Sequence, residues 1–131
     1  WLLNLSDSGE IIPLPQLTTV PLTKNWFVGI AKIRGNRYAV ADFSAFQGKE
    51  ATPQNTSSRL LLIGTRHGNN AALLVPRMLG LRNADDLTEV SADPDAPPWE
   101  SGAYTDREGR RWKMLDVRRL LADENFMEIG V

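Results

Sequence analysis

The sequence contains no cysteine and a single histidine, His67, among its 131 residues. Without thiols, neither a disulfide framework nor a thiolate metal site can form. His67 lies beside a glycine turn, and general-base catalysis needs a second group to orient the imidazole ring, which the sequence around it does not supply. We therefore expect a protein without enzymatic activity.

Long apolar runs and an excess of positive charge are also lacking. No stretch reaches the roughly 18 apolar residues of a membrane-spanning helix, and the chain has no signal-type start. The formal net charge of -1 at pH 7 argues against a nucleic-acid coat or a membrane-surface helix, because both work through excess positive charge. These absences favour a cytoplasmic protein that neither binds nucleic acid nor inserts into a membrane.

Metal and cofactor motifs are lacking as well. The carboxylates of "DDLTE" and "ADPDAPPWE" do not have the spacing of a calcium loop, and the glycine segments do not have that of a phosphate-binding loop. Trp26, Trp99 and Trp112 would suit a barrel that binds single-stranded nucleic acid, but without a basic groove they are better explained as core or interface residues. We expect no metal and no cofactor.

What the sequence does contain is a succession of short β-strand patterns, rich in β-branched and aromatic residues and separated by glycine, asparagine and proline. Hairpin turns are predicted at Gly35-Asn36, in "HGNN" and at Glu108-Gly109. The predicted strands lie in WLLNLS, GEIIPLPQLTTVPL, WFVGIAKI, YAVADF, RLLLIGTR, AALLVPRMLGL and AYTDREGRRWKMLD. This pattern indicates small β-barrels or a sandwich rather than an α/β enzyme.

Helical patterns are few. "SAFQG" predicts one turn, "NADDLTEV" a short helix with Asn83 as its N-cap, and "DVRRLLADENFMEI" the one long helix, with Asp116 as its N-cap. The polar segment "KEATPQNTSS", residues 49–58, is predicted to be a surface connection between two halves of one domain.

The segment "GIAKIRGNRYAVADF", residues 29–43, places Arg34 and Arg37 at a tight turn between two half-buried strands. The turn requires a residue such as Gly35 that tolerates positive φ, but it does not require either arginine. The two arginines either keep the hairpin soluble or form a surface for a partner. Arg34 has a further alternative, a structural ion pair with a core carboxylate such as Asp42.

The longer segment "VPLTKNWFVGIAKIRGNRYAVADF" resembles the signature of the CheW-like domain family. Gly29, Ile33, Arg34, Gly35 and Asp42 occupy the motif positions. Upstream, "GEII" is similar to the acidic-aliphatic pair of the family, and the segments after "RLLLIGTR" follow the order of its second half. The resemblance covers nearly the whole chain and is greatest to the PilI type, from the chemosensory systems of type IV pili.

This resemblance implies an all-β fold of two small, intertwined, five-stranded SH3-like barrels that share a core, with a short C-terminal helix. Residues 1–131 would form one CheW-like domain with two subdomains joined near 49–58. The function implied is that of a non-enzymatic adaptor. It would couple the regulatory domain of a CheA-type histidine kinase to the cytoplasmic tips of methyl-accepting chemoreceptors, at membrane-associated receptor arrays, and the PilI likeness implies control of twitching motility.

The resemblance also implies which residues meet these partners. Glu10 and Ile11 would lie on the kinase-binding patch. Ile33, Arg34, Gly35 and Arg37 would form or support a receptor groove between the barrels.

The sequence departs from the family pattern at several positions. Lys32 replaces the usual asparagine, Ala39 a common proline, and Val75-Pro76 a valine-aspartate pair. Because Trp1 begins near the family's second strand, we expect the first strand to be absent, which would leave an exposed barrel edge. The alternative that remains within the family is a regulatory domain cut from a larger kinase or receiver-containing adaptor.

Overall fold

The computed structural model describes residues 1–3, 8–63, 70–77, 83–91 and 93–127. Within these ranges the chain is mostly β-strand, with three short α-helices. The strands are β1 Leu2–Leu3, β2 Ser8–Pro13, β3 Leu17–Thr18, β4 Phe27–Ile33, β5 Asn36–Asp42, β6 Arg59–Ile63, β7 Ala71–Val75, β8 Thr88–Val90, β9 Glu100–Thr105 and β10 Arg111–Leu115; the helices are α1 Phe43–Phe46, α2 Val117–Leu121 and α3 Glu124–Met127.

The described strands form two sheets. The larger has the order β2-β6-β7-β5-β4-β3, and the smaller has the order β1-β10-β9-β8. Most neighbours are antiparallel, but β5 pairs with β7 and β1 pairs with β10 in parallel. The expected all-β class, with two sheets and short C-terminal helical structure, is confirmed.

Strands β6 and β7 are buried on both faces. Leu60 and Leu74 point into a cluster inside the six-stranded sheet, whereas Leu61 and Leu73 point into a second cluster shared with the other sheet. Side chains alternate between the faces of a strand, so a strand with two buried faces needs an unbroken apolar sequence. This explains why "LLLI" and "AALLV" lack the polar alternation of a half-exposed strand.

Aromatic side chains fill the core between the two sheets. Phe43 of α1 meets Trp99, just before β9, edge to face at 5.6 Å between ring centroids. Trp26, just before β4, stacks on Phe126 of α3 at 5.8 Å. Trp26 and Trp99 are both buried. They are therefore core residues, as the lack of a basic groove had indicated, and not platforms for bases.

The hairpin turns agree only partly with the sequence prediction. The β4–β5 turn is Arg34-Gly35 and not Gly35-Asn36, because Ile33 pairs with Asn36 and leaves only two residues between the strands. The β9–β10 turn contains Gly109 at φ 81, as predicted. Most of the predicted "HGNN" turn, together with His67, lies outside the described residues.

The prediction of one long C-terminal helix is wrong. Asp116 does cap α2, accepting the backbone N–H of Arg119 at 3.1 Å. The helix ends after Leu121, however, and a new helix begins at Glu124. Asp123 causes the restart, because its carboxylate accepts the backbone N–H groups of Asn125 and Phe126 and so acts as a second N-cap.

The helix predicted in "NADDLTEV" is also largely wrong. Asn83 caps a single 3-10 turn, Ala84–Asp86, by accepting the Asp85 N–H at 3.1 Å. The next residues form β8 instead of a helix, because they pair with β9 in the four-stranded sheet. Pairing with a strand distant in sequence here overrides a local helical preference.

The segment 49–58 joins α1 to β6. Both β5 and β6 belong to the six-stranded sheet, so the segment joins two parts of one sheet, and the described strands of the smaller sheet are β1, far before it, and β8 to β10, after β7. The segment is mostly exposed, but Thr52 is buried and is held by Asp42, which accepts its hydroxyl and its backbone N–H, each at 2.7 Å. The division into subdomains stays a prediction.

Candidate partner-binding surface

Glu10 and Ile11 lie on β2, at one edge of the six-stranded sheet. The register between β2 and β6 shifts between Ser8 and Ile11, so Glu10 lies at a bulge within the strand. The Ile11 side chain is turned outward and 45% exposed, whereas Ile12 packs against the interior cluster. This edge therefore presents a carboxylate beside an exposed aliphatic side chain.

Arg34 lies in the two-residue turn between β4 and β5. Its φ is 49° and that of Gly35 is 82°. Positive φ at both central residues is the signature of a type I′ turn, which matches the twist of the flanking strands. Glycine adopts this conformation freely, but an arginine at positive φ is uncommon. The Arg34 side chain is 67% exposed.

The structure brings Glu10 and Arg34 into direct contact. An Nη2 group of Arg34 donates a hydrogen bond to Oε1 of Glu10. This hydrogen bond first, and the carboxylate charge second, raise the pKa of Arg34 above its usual value. Because 45% of the Glu10 side chain is also exposed, the pair lies on the surface and its charges remain accessible to a partner.

The contact has a consequence for the shape of the sheet. In the strand order, β2 is separated from β4 by β6, β7 and β5. Four strand spacings of about 4.8 Å would place β2 and β4 roughly 19 Å apart in a flat sheet. The Glu10–Arg34 contact thus requires the six-stranded sheet to curl, which agrees with a small barrel.

The other predicted site residues have different environments. Ile33 is half-buried and packs against the interior cluster, so it supports the turn from below. Gly35 and Arg37 are exposed. The alternative in which Arg34 pairs with Asp42 is wrong, because Asp42 is 2% exposed at the far end of β5, where it caps α1 and binds Thr52.

Sequence reasoning missed one neighbour of this surface. Lys32 was noted only as a departure from the family pattern. Once Ile33 and Asn36 close the turn, strand pairing places Lys32 directly opposite Arg37. The position of the two-residue turn was the signal that could have found this pair, because a turn at Arg34-Gly35 instead of Gly35-Asn36 sets this register.

Two other kinds of site are not found in the described ranges. They contain no group of three or more histidine, cysteine, aspartate or glutamate side chains placed to hold a metal ion. No helix in the described part of the chain is long and apolar enough to cross a membrane.

Residues 2–125 match the family model described as the CheW-like domain. The chain belongs to the CheW-like family. This is a family of scaffold and adaptor proteins, and the match extends over both sheets of the CheW-like chain.

Two known proteins are similar to the CheW-like chain. Protein PilI of Pseudomonas aeruginosa is 24% identical over 132 residues, which cover 97% of this chain and 72% of PilI. The crystal structure of the scaffolding protein TtCheW from Thermoanaerobacter tengcongensis superposes with a TM-score of 0.73 at 17% identity, covering 94% of this chain and 85% of TtCheW. The second comparison confirms the fold, and the first indicates the PilI type.

Proposed function

We propose that the CheW-like chain is a non-enzymatic adaptor that couples a CheA-type histidine kinase to chemoreceptors. It binds the regulatory domain of the kinase and the cytoplasmic receptor tip, in the cytoplasm at membrane-associated arrays. The contact between Glu10 and Arg34 carries this proposal, because it joins the residues assigned to the two partners on one continuous surface. The similarity to PilI supports a role in the chemosensory control of type IV pili and twitching.

The kinase-binding patch consists of Glu10 and Ile11. An exposed aliphatic side chain beside a surface charge is the combination found in reversible protein interfaces, where an apolar centre is surrounded by a charged rim. Among the described strands β2 pairs with β6 alone, which leaves its other edge available to a second protein that approaches along the strand. The ion pair with Arg34 restrains the Glu10 carboxylate and so lowers the entropy cost of binding.

The receptor-binding surface consists of Ile33, Arg34, Gly35 and Arg37. The two-residue turn fixes the backbone, and Ile33 anchors it to the interior cluster. Arg34 and Arg37 then project as cations from a rigid hairpin, the kind of element on which binding residues are held most accurately.

Calorimetric titration of the chain with the isolated regulatory domain of a CheA-type kinase from the same cell tests the first interface. We expect saturable binding in the micromolar range, typical of small transient interfaces. Glu10→Arg should weaken it by at least about tenfold, since charge reversal disturbs electrostatic fit.

Glu50→Arg is the matched control, since Glu50 is exposed in segment 49–58 and makes no ion pair with another described residue. It should bind like the original chain. Absence of binding by the folded chain, or equal weakening by both variants, would contradict the kinase-binding patch. Co-sedimentation with a chemoreceptor cytoplasmic fragment, with and without the kinase domain, then tests whether both partners bind at once.

A further inference from the structure

Two like charges lie directly opposite each other on the β4–β5 hairpin. Lys32 of β4 pairs with Arg37 of β5, and both side chains are exposed. Because the pair that closes a two-residue turn is hydrogen-bonded, the next pair, Lys32 and Arg37, is the non-hydrogen-bonded kind, in which side chains are closest. Like charges in this position destabilise a hairpin.

Nothing in the described part of the chain relieves this repulsion. Neither Lys32 nor Arg37 forms an ion pair or a side-chain hydrogen bond with another described residue. The cation in the adjoining turn, Arg34, is occupied by Glu10. Three exposed arginines of the second half are paired, namely Arg107 with Asp86, Arg110 with Asp106 and Arg119 with Asp116, whereas Arg77 and Arg118 form no ion pair with another described residue. The hairpin therefore keeps two adjacent cations uncompensated at a cost in stability.

Apolar surface adjoins these cations. Ile30 lies two residues before Lys32 on β4, and Ala39 lies two residues after Arg37 on β5. Ile30 and Ala39 therefore pair on the same face as the two cations. Ala39 is exposed, and Ile30 is half-buried because it packs in part against the core cluster between the sheets. The face thus combines two cations with a small apolar area, which suits the carboxylates and aliphatic stems of an acidic protein segment.

We propose that Lys32 and Arg37 form a carboxylate-binding pair that selects an acidic segment of the protein partner. A bound carboxylate cancels the Lys32–Arg37 repulsion while it accepts hydrogen bonds from the forked guanidinium, so binding gains from both effects. A phosphate backbone is the less suitable ligand, because nucleic-acid binding needs many cations and the net charge of the chain is -1. The inference rests on the proposed function for its partner, the receptor, but not for the chemistry of the pair.

A single substitution separates this role from a structural one. Arg37→Glu places opposite charges across the strand pair, so it should raise Tm by about 1–5 °C while it removes the acidic ligand. Arg77→Glu is the matched control, because Arg77 is exposed and unpaired among the described residues but lies after β7. It should leave binding unchanged. A lower Tm for Arg37→Glu than for the original chain would contradict a destabilising repulsion between Lys32 and Arg37.

Binding is measured by NMR titration of the isotope-labelled chain with an acetylated ten-residue polyglutamate peptide and with ten-nucleotide single-stranded DNA. We expect the peptide to shift amide signals of residues 30–39, with affinity at least about fivefold lower in Lys32→Glu and Arg37→Glu. No localised shift at millimolar peptide, equal loss in Arg77→Glu, or DNA binding as tight as peptide binding would each overturn the proposal.

The receptor fragment links the pair to the proposed function. Arg37→Glu should weaken receptor binding while leaving kinase-domain binding intact, because Glu10 and Ile11 are unchanged. If the original chain binds neither kinase nor receptor, the proposed function fails whatever the peptide titration shows. If it binds both and Arg37→Glu binds the receptor equally well, the carboxylate-binding role fails alone.

Discussion

Arg34 donates a hydrogen bond to Glu10 across 24 positions of sequence, from the β4–β5 turn to the edge strand β2. Neither β4 nor β5 is a neighbour of β2 in the sheet, so the contact exists only because the sheet curls. It joins the residues that we assign to kinase binding and to receptor binding. Several expected outcomes of substitution follow from this arrangement and from the residues that hold the barrel around it.

Arg34→Asn removes the ion pair with Glu10 but keeps a residue that suits the turn. Asparagine tolerates positive φ, and Asn-Gly is the preferred sequence of a type I′ turn, so Tm should be unchanged or higher. Kinase affinity should fall, because the Glu10 carboxylate loses its restraint. Thermal unfolding and calorimetry measure the two effects. Arg34→Val, a β-branched residue at positive φ, should instead lower Tm. A large loss of Tm in Arg34→Asn would mean that the ion pair itself holds the barrel closed.

Gly29→Ala should destabilise the fold by about 2–5 kcal/mol. Gly29 has φ 144° at a bulge in β4, and a Cβ there would lie 2.5 Å from the backbone oxygen of Thr18 on β3. Backbone atoms cannot move aside as a flexible side chain can. Gly48→Ala is the control, since its φ is 80° but no atom lies within 4 Å of the added Cβ. It should cost only about 1–2 kcal/mol in urea denaturation. Equal losses of stability in Gly29→Ala and Gly48→Ala would mean that the contact between the added Cβ and β3 does not destabilise the fold.

Asp42→Ala should cost about 2–4 kcal/mol, because it removes the N-cap of α1 and leaves buried donors of Thr52 without a partner. Thr52→Val keeps the backbone hydrogen bond to Asp42 and removes only the hydroxyl one, so its cost should be smaller. Urea unfolding of both variants provides the comparison. A cost for Thr52→Val as large as that for Asp42→Ala would assign the stabilisation to the hydroxyl alone.

Asp106 should make the β9–β10 hairpin sensitive to acid. The indole N–H of Trp112 donates to its carboxylate at 3.0 Å, and this bond is the largest cause that lowers the pKa of Asp106 to about 2, with the Arg110 and Glu108 backbone N–H groups adding to it. A lowered pKa stabilises the fold above the unfolded value of about 3.9, and this stability is lost as pH falls towards 2.

The measurement is Tm against pH. Asp106→Asn should have a lower Tm at neutral pH and a flatter profile between about pH 4 and pH 2. Asp95→Asn is the control, since the Asp95 side chain is exposed and makes no ion pair with another described residue. Its acid profile should match that of the original chain. An unchanged acid slope in Asp106→Asn would contradict the role of the carboxylate.

The candidate surface was defined from the sequence, and its role in binding stays a prediction. Glu10, Ile11, Arg34, Gly35 and Arg37 were all named from the resemblance to the CheW-like family. Their relationship was not, because Glu10 and Arg34 meet only through curling of a sheet whose strand order no local pattern reveals. The Lys32–Arg37 pairing was missed because a one-residue error in the turn changes which residues lie opposite each other.

The sequence alone determined the composition, including the absence of thiols. It also determined local features: the short strands, the Asp116 cap and the glycine at the β9–β10 turn. These depend on neighbours a few residues apart. Tertiary structure decided the rest. It made β8 a strand through pairing with β9, buried both faces of β6 and β7, and brought Arg34 to Glu10. Each of these depends on contacts with other strands or with the other sheet, which form only in the folded chain.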